Sequence, residues 1–149
     1  VEAVLVYDAT MLEVVDATCP FVKKIHKLVF DANKEDKSIV IVGDRNHPEV
    51  VGINGWCENK AFIVNSREDA ASVEADKVFL VCQTTIKREL LDEIIDALQA
   101  KGVDIEVNNT ICNATRERQE SCDQLSKEVE AMVIVGGRNS SNTRKLFEI

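Results

Sequence analysis

Two cysteines occupy matching positions of an internal repeat. Cys19 ends the segment DATC and Cys112 ends the segment NTIC, 93 residues further on, and a helical pattern follows each of them. The positive end of a helix dipole favours the thiolate form of a cysteine, and the thiolate is the form that binds metals. The pair therefore predicts metal ligands. A place in the core is the simpler assignment for the other cysteines, which are Cys57, Cys82 and Cys122.

The same repeat carries two polar turns. Residues 40–49 read VIVGDRNHPE and residues 133–142 read VIVGGRNSSN, so an apolar run ends in glycine in both copies and leads to His47 or to Ser140. Backbone amides at a helix start, together with a His or Ser side chain, can bind an anion without a lysine loop. The turns therefore predict a phosphate site. Capping of the next helix is the alternative for His47, for both serines and for Asn142.

Short apolar strands alternate with helices along the chain and carry these residues between them. Val, Ile and Leu runs without polar alternation are typical of parallel strands covered by helices on both faces. The β-α-β-α order predicts an α/β fold whose ligands bind beyond the carboxyl ends of the strands. CQTT, residues 82–85, lies at such an end, with capping of the following helix as its alternative role. The predicted strands are VEAVLVY, LEVVDA, SIVIVG, KAFIVN, KVFLVCQ, VDIEVN and AMVIVGG, and the predicted helices span 20–33, 48–56, 67–74, 87–101, 115–130 and 141–149.

Charge and composition exclude several classes of protein. The chain has 149 residues and a formal net charge of −8, which is unfavourable for contacts with nucleic-acid phosphates. It has no run of 18 apolar residues and no signal-peptide pattern, and this predicts a cytoplasmic protein that does not enter a membrane. Its five cysteines are widely spaced and odd in number, unlike the disulfide framework of a small secreted domain.

Five motifs, taken in order, closely resemble the 4-hydroxy-3-methylbut-2-enyl diphosphate reductase family, also called LytB. They are VDATCPFVKKIH, NHPEVVGINGW, QTT, NTICNATRERQ and VGGRNSSNTRKL, and the resemblance covers residues 13–149. In that family three similar α/β domains surround an iron–sulfur cluster, and each domain supplies one cysteine. The resemblance therefore implies repeated three-layer units with mostly parallel sheets, of which two of three pseudo-symmetric domains are represented here, the second one truncated.

The resemblance also implies a reaction. Enzymes of the family catalyse the last step of the methylerythritol phosphate route to isoprenoids, a reductive dehydroxylation that yields isopentenyl and dimethylallyl diphosphates. An external electron donor protein supplies the electrons through a 4Fe-4S cluster, for which Cys19 and Cys112 are implied ligands. Glu49 is the implied proton donor, and Thr84 is implied to bind the substrate hydroxyl. The side chains implied to hold the diphosphate are His47, Ser140, Ser141 and Asn142.

The motifs further divide the chain. Residues 1–12 form an unassigned strand-like leader, residues 13–109 the middle α/β domain and residues 110–149 a partial third domain. With two of three cysteine ligands and no C-x-x-C spacing, the chain is expected to be an inactive fragment that holds the cluster weakly or not at all. Surfaces that would pack on the missing amino-terminal and carboxyl-terminal domains are expected to be apolar and to favour self-association.

A function of another class stays open at this point. A non-catalytic α/β module could bind a phosphorylated small molecule through the repeated turns, with its cysteines only packing. Anaerobic reconstitution with iron and sulfide separates the two hypotheses. A broad visible absorbance band favours the reductase, and a colourless protein that still binds diphosphates favours the module.

Overall fold

A computed structural model describes residues 15–149, which form a parallel sheet with helices on both faces. The strand order is β2-β1-β3-β4, and a helix lies in the connection between each strand and the next one along the chain, as parallel pairing requires. This arrangement confirms the predicted α/β fold. The strands are β1 (Ile39–Val42), β2 (Phe62–Val64), β3 (Lys77–Cys82) and β4 (Asp104–Val107).

All six predicted helices are present, with ends within four residues of the predicted ones. Proline stands at the start of α1 and α2, where the amide proton that it lacks has no helical partner in any case. No helix within the described part of the chain combines the length and apolar character that a membrane span needs. The helices are α1 (Pro20–Lys34), α2 (Pro48–Gly55), α3 (Arg67–Ala71), α4 (Arg88–Ala100), α5 (Asn113–Ser126) and α6 (Ser141–Phe147).

The two faces of the sheet bury separate cores. Val40 and Leu80 belong to the core beneath α3 and α4, whereas Ile41 and Val81 belong to the core beneath α1 and α2. Successive residues of a strand face opposite sides, so a strand covered on both faces must be apolar throughout. The predicted burial on both faces therefore holds for β1 and β3. The edge strand β4 differs, because it is mostly exposed.

Two predicted strands are wrong over the residues that the structure describes. AMVIVGG, residues 131–137, has no regular secondary structure, and Val133 and Val135 are 85% and 90% exposed. A strand needs a neighbour for its backbone hydrogen bonds, and none of the strands among residues 15–149 pairs with this segment. The described part of LEVVDA, residues 15–17, is also not a strand. The predicted strand VEAVLVY lies outside the described residues.

The repeat nevertheless persists in the packing of its two glycines. A Cβ atom on Gly43 would lie 2.9 Å from Cγ2 of Val50 on α2, and a Cβ atom on Gly136 would lie 2.6 Å from Cγ2 of Thr143 on α6. Val50 and Thr143 are themselves 93 residues apart. In both copies the glycine therefore lets the next helix pack closely against the turn. Gly43 ends a strand as predicted, whereas Gly136 does not.

Candidate functional site

Glu49 and Thr84 form a buried pair at the carboxyl edge of the sheet. Oε1 of Glu49 accepts a hydrogen bond from the Thr84 backbone amide at 2.7 Å, and Oε2 accepts one from the Thr84 hydroxyl at 2.9 Å. Both residues are 8% exposed. Glu49 lies in the first turn of α2, after β1, and Thr84 follows β3, so the pair joins the ends of two adjacent strands. A carboxylate that accepts two hydrogen bonds is well satisfied in a buried place.

His47 and Ser140 are the N-caps of α2 and α6. Nδ1 of His47 accepts a hydrogen bond from the Glu49 amide at 3.2 Å, and the Ser140 hydroxyl accepts one from the Thr143 amide at 3.2 Å. Both side chains therefore cap helices, as one alternative proposed. Capping leaves each of them a second polar group, because Nε2 of His47 carries the proton of the neutral ring and the Ser140 hydroxyl keeps its own proton.

Gln83 connects the two polar turns. Its Oε1 accepts a hydrogen bond from the Asp44 amide at 3.1 Å, while Nε2 donates to the hydroxyls of Thr85 at 2.9 Å and Ser141 at 3.4 Å. The Thr85 hydroxyl donates to that of Ser141 at 3.1 Å. Gln83 is 1% exposed, so a buried amide holds the start of α6 against the turn that follows β1. The capping alternative for CQTT is wrong, because Lys87 is the N-cap of α4 and no side chain caps that helix.

Asn142 contributes a polar atom without a partner. Its Oδ1 is buried and accepts no hydrogen bond from residues 15–149. Buried polar atoms are rarely left unpaired, and an unpaired one is expected beside a ligand or a water molecule. Asn142 directly follows Ser141 in the first turn of α6, so it is adjacent in the chain to a residue that Gln83 contacts.

The two candidate ligand cysteines are the N-caps of α1 and α5, and neither side chain caps its helix. The Cys112 amide donates to the Thr84 carbonyl at 3.0 Å, which places Cys112 beside the Glu49–Thr84 pair. Cys19 is exposed and makes no hydrogen bond to the candidate residues named above. Because α1 packs on β1 and leads into it through four residues, Cys19 also lies toward the carboxyl edge.

The remaining cysteines occupy the packed positions assigned to them. Cys57 and Cys82 are fully buried, and burial raises the pKa of both thiols. Cys122 is half-buried, with its thiol 3.6 Å from the Leu146 carbonyl. Within residues 15–149, no group of three or more His, Cys, Asp and Glu side chains is arranged to hold a metal ion.

Sequence reasoning missed two threonines of this edge. Thr85 bridges Gln83 and Ser141, and Thr110 bonds to the backbone of Cys82. Thr85 lies in the QTT motif, so its position directly after a buried strand was a usable signal. Thr110 stands two residues before a candidate ligand, and that spacing was the available signal for it.

Ligands of open parallel sheets bind beyond the carboxyl ends of the strands, and the contacts around Glu49, Gln83 and Thr84 all lie there. Fold and edge together define an α/β protein with a candidate ligand site at the carboxyl ends of its strands. The family model described as LytB protein matches residues 4–149. The chain belongs to the LytB family, as its five motifs predicted.

Two similar relatives carry the same enzyme name. A 4-hydroxy-3-methylbut-2-enyl diphosphate reductase of Caldanaerobacter subterraneus subsp. tengcongensis is 50% identical over 139 residues, which are 93% of this chain and 48% of the relative. The Clostridioides difficile reductase is 48% identical over 141 residues, 93% of this chain and 50% of the relative. The chain thus spans about half the length of the curated relatives it matches.

Solved structures agree with these relatives. A structure of (E)-4-hydroxy-3-methyl-but-2-enyl diphosphate reductase, the terminal enzyme of the non-mevalonate pathway, matches with a TM-score of 0.67 and 42% identity, over 92% of this chain and 50% of that one. The E-1-hydroxy-2-methyl-but-2-enyl-4-diphosphate reductase from Plasmodium falciparum matches with a TM-score of 0.80 and 31% identity, over 89% of this chain and 43% of that one. Both matches confirm the parallel α/β architecture.

Proposed function

We propose that this chain is the central part of a reductase that removes the hydroxyl group of 4-hydroxy-3-methylbut-2-enyl diphosphate. The products are isopentenyl and dimethylallyl diphosphates. The observation that carries the proposal is the buried Glu49–Thr84 pair at the carboxyl edge, in a chain 50% identical to a protein of that name. The reaction consumes two electrons and two protons, and the departing hydroxyl leaves as water.

Glu49 and Thr84 are proposed to handle the proton that makes the hydroxyl a good leaving group. A substrate hydroxyl bound at Oγ1 of Thr84 would be one hydrogen bond away from Oε2 of Glu49, since these two atoms are 2.9 Å apart. In the structure the Thr84 hydroxyl donates to Glu49, so proton delivery requires this bond to reverse. A protonated Glu49 would donate to Oγ1 of Thr84, and the Thr84 hydroxyl would donate its own proton to the substrate oxygen as the carbon–oxygen bond breaks. Burial of the pair supports this role, because it keeps bulk water from competing for the proton.

The diphosphate is proposed to lie between the two turns. Nε2 of His47 and the hydroxyl of Ser140 are free to donate hydrogen bonds once the helices are capped. Asn142 is proposed to donate its amide Nδ2 group to the diphosphate. Its Oδ1, which accepts no hydrogen bond from residues 15–149, is an acceptor like the phosphate oxygens and would have to face away from them. Ser141 is proposed to contribute its hydroxyl to the same group, and Gln83 would hold this side chain in place.

Cys19 and Cys112 have the chemistry that an iron–sulfur cluster requires. Neither thiol is used as a helix cap and neither is buried, so both are accessible for ligation. They supply two ligands, and we propose that a third comes from a segment beyond residues 15–149. When bound, a 4Fe-4S cluster would supply the electrons of the reduction, received from an external electron donor protein. The isolated chain is therefore proposed to be inactive and to hold the cluster weakly or not at all.

The division of the chain is part of the same proposal. Residues 13–109 would form the middle domain and residues 110–149 part of the third, with residues 1–12 unassigned. The hydrogen bonds of Gln83 to Ser141 and of Cys112 to Thr84 would then cross from one domain to the next. Residues of both units would thus have to be present for the site to form.

The proposal is tested in a chimera in which this chain replaces the matching part of the Caldanaerobacter relative. Anaerobic turnover of the diphosphate substrate by a reduced viologen dye is measured together with visible absorbance. We expect turnover in the chimera and a loss of about 10²- to 10⁴-fold in Glu49→Gln, as for removal of a general acid, with the absorbance unchanged. Glu93→Gln, an exposed change on α4, is the matched control and should keep full turnover.

Two results would contradict the proposal. Near-normal turnover of Glu49→Gln would remove this residue from the proton route. A chimera that binds the diphosphate but shows neither a visible band nor turnover would favour the non-catalytic module instead.

A further inference from the structure

The loop that carries Cys112 is fastened along the extension of β3. The Asn108 amide donates to the Leu80 carbonyl at 2.8 Å, and the Cys112 amide donates to the Thr84 carbonyl at 3.0 Å. These two bonds are four residues apart on both segments, which is the spacing of a continued parallel pairing. Yet β4 ends at Val107, so the loop is no longer a regular strand where the pairing continues.

A side chain makes the rung between these two bonds. The Thr110 hydroxyl accepts a hydrogen bond from the Cys82 amide at 2.8 Å and donates one to the Cys82 carbonyl. Thr110 is buried and Cys82 is fully buried, so water cannot replace these bonds. One hydroxyl thus satisfies both backbone groups of a buried residue, in the manner of a neighbouring strand.

We propose that Thr110 is a positioning residue for Cys112. Its hydroxyl holds the loop against β3, and thereby sets the place of the Cys112 thiol relative to the Glu49–Thr84 pair. The thiol makes no capping bond of its own, so its position follows from that of its backbone. The hydrogen bonds between this loop and the extension of β3 need no ligand. Their importance for catalysis rests on the proposed role of Cys112 in cluster binding.

Thr110→Val tests this in the 149-residue chain, because it replaces the hydroxyl by a methyl group at nearly constant shape. The rate of alkylation by iodoacetamide is followed for each cysteine by mass spectrometry under native conditions. Cys112 is only partly exposed in the native chain, and we expect it to react about tenfold faster in the variant, because both hydrogen bonds of Thr110 to Cys82 are lost and the loop opens locally more often. Cys19, on another helix, and Cys57, in the other core, should keep their rates. Thr110→Ser, which retains the hydroxyl, should restore the original rate of Cys112.

Cys57 also reports whether Thr110→Val remains folded, because it is fully buried in the native chain. Should that variant unfold, amide hydrogen exchange in the unmodified chain decides, and the Cys112 amide is expected to exchange as slowly as that of Cys82. The proposal would be overturned if the alkylation rate of Cys112 were unchanged in folded Thr110→Val, or equal in the Ser and Val variants. Fast exchange of the Cys112 amide would also overturn it. If the chimera were inactive while the Cys112 amide exchanged slowly, the proposed reductase function would be overturned and the positioning role of Thr110 would stand.

Discussion

The two copies of the repeat, residues 19–52 and 112–145, keep their helices but are supported very differently. In the first copy α1 buries Ile25, Val29 and Ala32 and leads into the fully buried β1. In the second copy α5 buries only Thr115 and leads into an exposed segment without a strand. Helix hydrogen bonds and caps are local, whereas a strand depends on its neighbours. The candidate site therefore combines one unit that has its own core with a second unit that depends on contacts to the first.

The two candidate ligand cysteines differ in the opposite sense, because the one in the less supported copy is held more firmly. The segment before Cys19 is held by exposed contacts, in which Asp16 accepts a bond from the Thr18 amide at 2.9 Å and pairs with Lys23 at 2.6 Å. These bonds, led by that from Lys23, hold the pKa of Asp16 well below its usual range. Cys112 is instead held by buried bonds to β3. The weaker unit therefore has the more firmly placed cysteine, because the stronger unit holds it.

Matched substitutions in α1 and α5 are expected to give the largest difference between the copies. Ile25 and Arg118 are equivalent in the repeat, but the first is buried and the second exposed. Ile25→Ala should lower the free energy of unfolding by about 2–5 kcal/mol because it leaves a cavity. Arg118→Ala should change it by no more than about 0.5 kcal/mol, as is usual at the surface. Urea denaturation followed by circular dichroism measures both, and equal losses would remove the contrast.

The glycines give a smaller test of the same difference. A Cβ at Gly43 would meet Gln83 and Val50, each at 2.9 Å, inside a packed region that cannot shift freely. Gly43→Ala should therefore cost about 1–3 kcal/mol in the free energy of unfolding, as overpacking does. A Cβ at Gly136 would also meet a helix residue, Thr143, but the segment that carries Gly136 is exposed and can shift, so Gly136→Ala should cost about 0.5 kcal/mol. A larger loss for Gly136→Ala would show that the second copy is the rigid one.

The smallest expected effect is on the pH dependence of stability. His26 stacks on Trp56 with ring centroids 5.4 Å apart, and burial lowers the pKa of its imidazole. The unfolded state then binds a proton more readily than the folded state, so stability should fall as the pH drops below about 6.5, the ordinary histidine value. His26→Gln installs the residue found at the equivalent position 119 and should flatten this dependence. An unchanged pH profile of the urea midpoint would contradict the assignment to His26.

The sequence was sufficient for the helices and for the central strands, because their signals are local. Pro20 and Pro48 mark helix starts, and the apolar runs of β1 and β3 reflect burial on both faces. The sequence was not sufficient for the second VIVG run, residues 133–136. Residues 40–43 have the same sequence, but only the first run has neighbouring strands to pair with among residues 15–149.

The site shows the same limit. Motif resemblance singled out Glu49 and Thr84, but no periodicity or spacing pairs residues 35 positions apart. Sheet order brings them together, and the order of parallel strands is a property of the whole domain. The exposed apolar residues of the second copy, such as Val135 and Phe147, are compatible with the predicted self-association, which stays a prediction.

Visible absorbance of the anaerobically purified chimera shows whether one cysteine from each copy binds the same iron–sulfur cluster. Cys19→Ser and Cys112→Ser should each lose the broad visible band that an iron–sulfur cluster gives, since each removes one thiolate ligand. Cys122→Ser, a half-buried cysteine outside the proposed site, should retain the band at full intensity per mole of protein. A band that persists undiminished in either Cys19→Ser or Cys112→Ser would contradict binding of one cluster by both cysteines.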